Sequence, residues 1–131
     1  MGHLGLTPQS IYQLGGFKVQ GREQSAADLI EQQAIALQEH GCYALVLECV
    51  PTQLGEKISQ RLNIPTIGIG AGPHTDGQVL VLQDLLGFNT GFKPKFLRSF
   101  LNGGELILSA LNKFDSSVKQ QEFPTSQESY N

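Results

Sequence analysis

Between Gly41 and Pro51 the chain reads Gly-Cys-Tyr-Ala-Leu-Val-Leu-Glu-Cys-Val-Pro, and no other stretch limits the fold as much. The unbroken apolar run from Tyr43 to Leu47 exceeds what a strand with one wet face needs. Helices are therefore expected on both of its faces, as in a parallel sheet. Glu48 closes the run. A carboxylate there is costly unless it is paired, solvated at the strand end, or put to use. From these residues alone two readings stand open: a strand-end group that holds the next turn, or a working group in a site.

The remaining residues alternate strand and helix patterns. Gly2 to Leu6 reads as a first strand, Thr7-Pro8 as the opening of a short helix through Leu14, and Gly15-Gly16 as its stop. Ser25 to His40 reads as a helix, with Ser25 and Asp28 at capping-box spacing. Its apolar stripe is Leu29, Ile30, Ala34 and Leu37, and Gly41 stands just past its end. Pro51-Thr52 opens a helix carrying Leu54, Ile58 and Leu62, which Asn63 ends. Ile64 to Ala71 reads as a third strand running into a glycine-rich turn, and Gln78 to Leu82 as a fourth. Lys95 to Leu101 and Glu105 to Lys119 read as two further helices, before a loose polar tail. This alternation predicts an α/β fold with a parallel sheet.

Side-chain parity then sorts the faces. His3 and Gly5 share one face of the first strand, Val46 and Glu48 one face of the second, and Gly68 and Gly70 one face of the third. The opposite faces, Leu4 and Leu6, Leu45 and Leu47, and Ile67 and Ile69, suit a covering helix layer. In a barrel the first set would line the interior, with ligands at the C-terminal strand ends. A histidine, a glutamate and two glycines would then surround room for a small molecule.

Composition narrows the class. With 40% apolar and 16% charged residues over 131, the chain can build a core and is at most one ordinary domain. A net charge of −3 argues against nucleic acid, and Lys93, Lys95 and Arg98 read as a solvated face. No apolar run approaches the roughly 18 residues of a membrane helix, and the first residues show no signal-peptide pattern. Cys42 and Cys49, on one extended strand, would lie about 23 Å apart at roughly 3.3 Å per residue, too far to pair. Free thiols fit a cytoplasmic protein.

Several stretches together resemble one family. They are Gly2-His3-Leu4-Gly5-Leu6-Thr7-Pro8-Gln9-Ser10, Leu14-Gly15-Gly16-Phe17-Lys18-Val19-Gln20-Gly21, Val46-Leu47-Glu48-Cys49-Val50-Pro51, Ile64-Pro65-Thr66-Ile67-Gly68-Ile69-Gly70-Ala71-Gly72 and Thr75-Asp76-Gly77-Gln78-Val79-Leu80-Val81. With Pro94-Lys95-Phe96 and Phe123-Pro124, and in this order, they resemble ketopantoate hydroxymethyltransferase. The resemblance implies a (β/α)8 TIM barrel of the phosphoenolpyruvate/pyruvate type, of which this chain would be the C-terminal half. Residues 1–121 would form the half barrel and 122–131 a polar tail.

The resemblance further implies transfer of a hydroxymethyl group from 5,10-methylenetetrahydrofolate to 3-methyl-2-oxobutanoate. The product is 2-dehydropantoate, on the route to pantothenate and coenzyme A. It implies Glu48 as the general base for the C3 proton and His3 as a group lining the substrate pocket. It implies Mg2+ on the keto acid, held by residues of the family's other half that have no counterpart here. His74 and Asp76 are expected to serve the turn that carries them. Gln83 stands where the family often has histidine before Asp84, and Glu128-Ser129-Tyr130 replaces a His-Ser-aromatic ending.

These residues alone are expected not to catalyse. The implied partners are the small keto acid, further copies of a whole barrel, or a complementary N-terminal half. Two other readings stand beside this one. A non-catalytic half-barrel remnant would expose sheet edges and a core face and so favour docking on another chain. A nucleotide module would use Gly68-x-Gly70-x-Gly72, but that spacing is not Gly-x-Gly-x-x-Gly and Pro73 to Gly77 opens no helix.

Overall fold

The computed structural model describes residues 1–89 and 91–130. These fall into two compact units, Met1–Leu80 and Val81–Asn131. In the first, strand β1 (Gly2–Gly5), helix α1 (Gln24–Glu39), β2 (Leu45–Glu48), α2 (Thr52–Arg61), β3 (Thr66–Ile69) and β4 (Gly77–Gln78) follow one another. All strand pairs are parallel, in the order β1-β2-β3-β4. Helices lie between β1 and β2 and between β2 and β3, the βα repeat of a TIM barrel, while a loop without a helix leads from β3 to β4; four parallel strands make half of such a barrel.

The core forms where the apolar patterns meet. Leu45 and Leu47 of β2 are fully buried among Ile30 and Ala34 of α1, Leu54 and Ile58 of α2, and Val50, Leu62 and Ala71. α1 ends as its sequence predicts. Gly41 takes a φ of 89° and donates to the Gln38 carbonyl (3.0 Å), while Cys42 donates to that of Leu37 (3.0 Å). This is the paired bonding of a Schellman stop, which a residue with a Cβ would strain. Its start differs. Glu23, not Ser25, is the N-cap, without a side-chain cap bond, and Asp28 accepts from the Gln24 amide at 2.8 Å.

The strands are shorter than expected, and the difference reassigns one face. Tyr43 precedes β2 and is 70% exposed, so the buried run begins at Ala44. Register puts Thr66 beside Leu45 and Gly68 beside Leu47. Thr66 and Gly68 therefore face the helices, and Ile67 and Ile69 share the other face with Val46 and Glu48. Gly68 does not open a pocket, and Gly70 lies beyond the end of β3. A Cβ on Gly68 would lie 2.6 Å from the Thr75 hydroxyl oxygen, so that space is already filled. Parity gives relative sides only; which side is inner depends on neighbouring strands.

β4 is confined to Gly77–Gln78, and Leu82, expected in that strand, begins helix α3 (Leu82–Leu85). The second unit also holds α4 (Gly103–Lys119) and a short turn at Ser126–Glu128 in the polar end. The helix expected over Lys95 to Leu101 is absent, leaving one turn in which Leu97 donates to the Pro94 carbonyl (3.0 Å). Seven residues are too few to offset nucleation without packing partners. Among the described residues no helix is long and apolar enough to cross a membrane.

Candidate active site

The face of the sheet opposite α1 and α2 carries the polar residues. β1 and β2 pair with His3 beside Val46 and Gly5 beside Glu48. Directly paired residues of parallel strands point the same way, so His3 and Glu48 lie on one face, two rows apart. Their side chains meet: His3 Nε2 is 3.1 Å from Glu48 Oε2, with 31% and 19% of the side chains exposed. Glu48 is the last residue of β2, at the strand end where barrel enzymes hold their ligands. Its other oxygen, Oε1, makes no hydrogen bond among the described residues and can accept a proton.

The backbone at Glu48 is fixed from both sides. Its carbonyl accepts the Leu6 N–H at 2.8 Å. Gly5 has a φ of 91°, and a Cβ there would sit 2.1 Å from that same carbonyl oxygen. Cys49 adopts the left-handed φ of 49°, donates to the Ile69 carbonyl (2.9 Å) and accepts from the Gln20 N–H (2.9 Å). Such strain in a residue with a side chain persists only where surrounding bonds hold it. Burial, and secondarily the Glu48 charge, push the Cys49 thiol up from its ordinary value. That shift disfavours the thiolate, the reactive form of a cysteine. Cys42 and Cys49 are both free, and they flank β2 rather than lying within one extended strand.

The other candidates are placed apart from this pair. Asp76 Oδ2 accepts the Thr66 N–H at 2.7 Å and the Thr66 hydroxyl at 2.8 Å. Those two bonds hold its carboxyl below the usual value. Thr66 is fully buried and lies 2.7 Å from Ser59 Oγ on α2. Asp76 thus ties the turn before β4 to β3, a structural role, and His74 is exposed in the same turn. The glycines after β3 lead into β4 rather than a helix, which removes the nucleotide reading's framework. Gln83 and Asp84 lie on α3 in the second unit, and Glu128 caps its own turn through Thr125.

Two features have no counterpart in the sequence patterns. One is the Gln20 tie to Cys49, a backbone bond that no residue type announces. The other is Glu31, buried on α1, with Lys57 Nζ at 2.6 Å and Arg61 at 2.7 Å, both from α2. Chemically, the site is a half-buried carboxylate with one oxygen bonded to an imidazole and one free, an arrangement that suits proton transfer. Among the described residues no three His, Cys, Asp or Glu side chains converge as a metal-binding group.

Comparison with known proteins adds a family. A family model described as ketopantoate hydroxymethyltransferase matches residues 1–126. A Coxiella burnetii protein named 3-methyl-2-oxobutanoate hydroxymethyltransferase is 64% identical over 124 residues, covering 95% of this chain and 47% of its own length. Proteins of the same name from Bdellovibrio bacteriovorus and Legionella pneumophila are 57% and 52% identical over 130 residues. Each of these two alignments covers 99% of this chain, with 49% and 50% of the respective relative. The chain spans about half the length of the curated relatives it matches.

Proposed function

We propose, from the premise that this chain belongs to the ketopantoate hydroxymethyltransferase family, that its residues supply the proton-abstracting part of that transferase. The observation carrying this reading is the Glu48 carboxylate at the end of β2, bonded to His3 and free at Oε1. Glu48 takes the C3 proton of 3-methyl-2-oxobutanoate, leaving an enolate. The enolate carbon bonds to the one-carbon unit of 5,10-methylenetetrahydrofolate as both of that unit's C–N bonds break. Water supplies the hydroxyl, and the nitrogens of the departing tetrahydrofolate take water's other proton and the one held by Glu48. The product is 2-dehydropantoate, a precursor of pantothenate and coenzyme A. His3 donates from Nε2 to Glu48 Oε2 and acts as a positioning residue that leaves Oε1 free for the substrate.

A Mg2+ ion would stabilise the enolate oxygen. Such an ion takes about six oxygen ligands in a near-octahedral shell. The described residues do not fit it, since no three acidic, His or Cys side chains converge, and no step above depends on it. The rest of a barrel is needed for turnover, with residues 1–121 as its C-terminal half and 122–131 as a polar tail. Exposed apolar side chains on α4, among them Leu106, Leu108, Leu111 and Phe114, support association with further protein, whether whole-barrel copies or a complementary half. The free thiols suit a cytoplasmic setting.

A second reading, a non-catalytic half barrel, draws on the absence of a convergent metal-ligand group among the described residues. One assay separates the two. Formation of 2-dehydropantoate is followed for the chain alone and for the chain mixed with the N-terminal half of a homologous enzyme. The catalytic reading predicts turnover only in the mixture. No turnover in a mixture that demonstrably forms a complex would leave the non-catalytic reading.

A further inference from the structure

The loop that leaves β1 is tied at both ends to the backbone of the candidate base and its neighbour. Leu6 N–H donates to the Glu48 carbonyl (2.8 Å), and Gln20 N–H donates to that of Cys49 (2.9 Å). Residues 7–19 hang between these ties. Their first part is held by a turn at Pro8–Ser10 and by the Gly16 N–H bond to the Ile11 carbonyl (2.8 Å). Gly15 and Gly16, at φ of 73° and 100°, then redirect the backbone into Phe17.

Phe17 is 79% exposed and Tyr12 97%. The remaining aromatic side chain of residues 1–80, Tyr43, precedes β2 and so lies at the opposite end of that strand from Glu48. In this unit, Phe or Tyr rings at the Glu48 end of the sheet therefore come only from this loop. Phe17 stands three residues from the Cys49 tie, within about 11 Å of it even along a fully extended backbone. Lys18 beside it is the one cation of residues 7–19. An exposed ring on a loop tied to the backbone beside Glu48 offers flat contact area at low entropic cost.

We propose that Phe17 is the stacking platform for the heteroaromatic ring of the one-carbon donor, with Lys18 as the cation for the donor's carboxylate. The loop then brings the donor's methylene to the enolate generated at Glu48. The inference rests on the function proposed above and adds the donor's binding surface to it. Its test is a titration of tetrahydrofolate into the 131-residue chain, followed by saturation-transfer NMR and backbone amide shifts. Binding with amide shifts at residues 15–20 is expected, about tenfold weaker in Phe17→Ala and restored in Phe17→Tyr. Unchanged amide shifts elsewhere in the spectrum establish that the variant is folded. Equal binding by the wild type and Phe17→Ala overturns the proposal, as does no binding by the wild type. A separate titration with 3-methyl-2-oxobutanoate keeps the two levels apart. Shifts at His3 and Glu48 that survive Phe17→Ala support the base assignment whatever the folate result, and their absence counts against that assignment and not against Phe17.

Discussion

At Glu48 the backbone tolerates almost no displacement. Its carbonyl is bonded to Leu6, its successor is held in a left-handed conformation, and Gly5 packs against it with room only for hydrogen. Gly5→Ala would bring a Cβ to 2.1 Å from the Glu48 carbonyl at a φ of 91°. We expect a loss of at least about 2 kcal/mol in denaturant unfolding, since a left-handed backbone costs roughly 1–2 kcal/mol for a residue with a Cβ even without the clash. Loss of proton abstraction should accompany it, as β1 moves away from β2. An Ala variant with wild-type stability and exchange activity would contradict this reading of Gly5. Sequence parity put Glu48 and His3 on the right faces, because neighbouring residues on one strand must alternate. It put Gly68 and Ile67 on the wrong ones, because the inner side of β3 is decided by its register with β2.

Between elements, polar ties do what the apolar stripes do not. The stripes Ile30-Ala34 and Leu54-Ile58 were legible from their spacing, and they bring α1 and α2 onto β2. The Glu31 clasp that joins the two helices was not, since a Glu, a Lys and an Arg spread over two helices look like solvated surface. Its Lys57 bond holds the Glu31 carboxyl below the usual value; burial opposes this, and the Arg61 bond assists it. A depressed folded-state value means the clasp stabilises fully above the unfolded value of about 4.3 and fades as pH falls through the folded one. Glu31→Gln should therefore cost about 1–2 kcal/mol at pH 7, held to that range because Lys57 and Arg61 are more than half exposed. The difference from wild type should shrink in urea melts below pH 4. A deficit that stays constant into acid would mean that the side chain's packing, not its charge, matters. The missing helix at Lys95 to Leu101 marks the other limit of such readings, where a short pattern had no packing face to hold it.

Across the whole molecule, the parallel sheet was legible from strand–helix alternation, and the family from motifs in register; the pairing of β4 with β3 across a loop without a helix was not. Nor was the division at Leu80, because residues 78–86 run on without a Gly or Pro to mark a boundary. The central claim is chemical: these residues contribute the base of an enolisation. The most direct measurement is deuterium incorporation at C3 of 3-methyl-2-oxobutanoate in heavy water, without folate, by the chain combined with the N-terminal half of a homologue. The account predicts exchange with wild type and a loss of about 100-fold or more with Glu48→Gln, the scale of a removed general base. Exchange that persists undiminished in Glu48→Gln would contradict it.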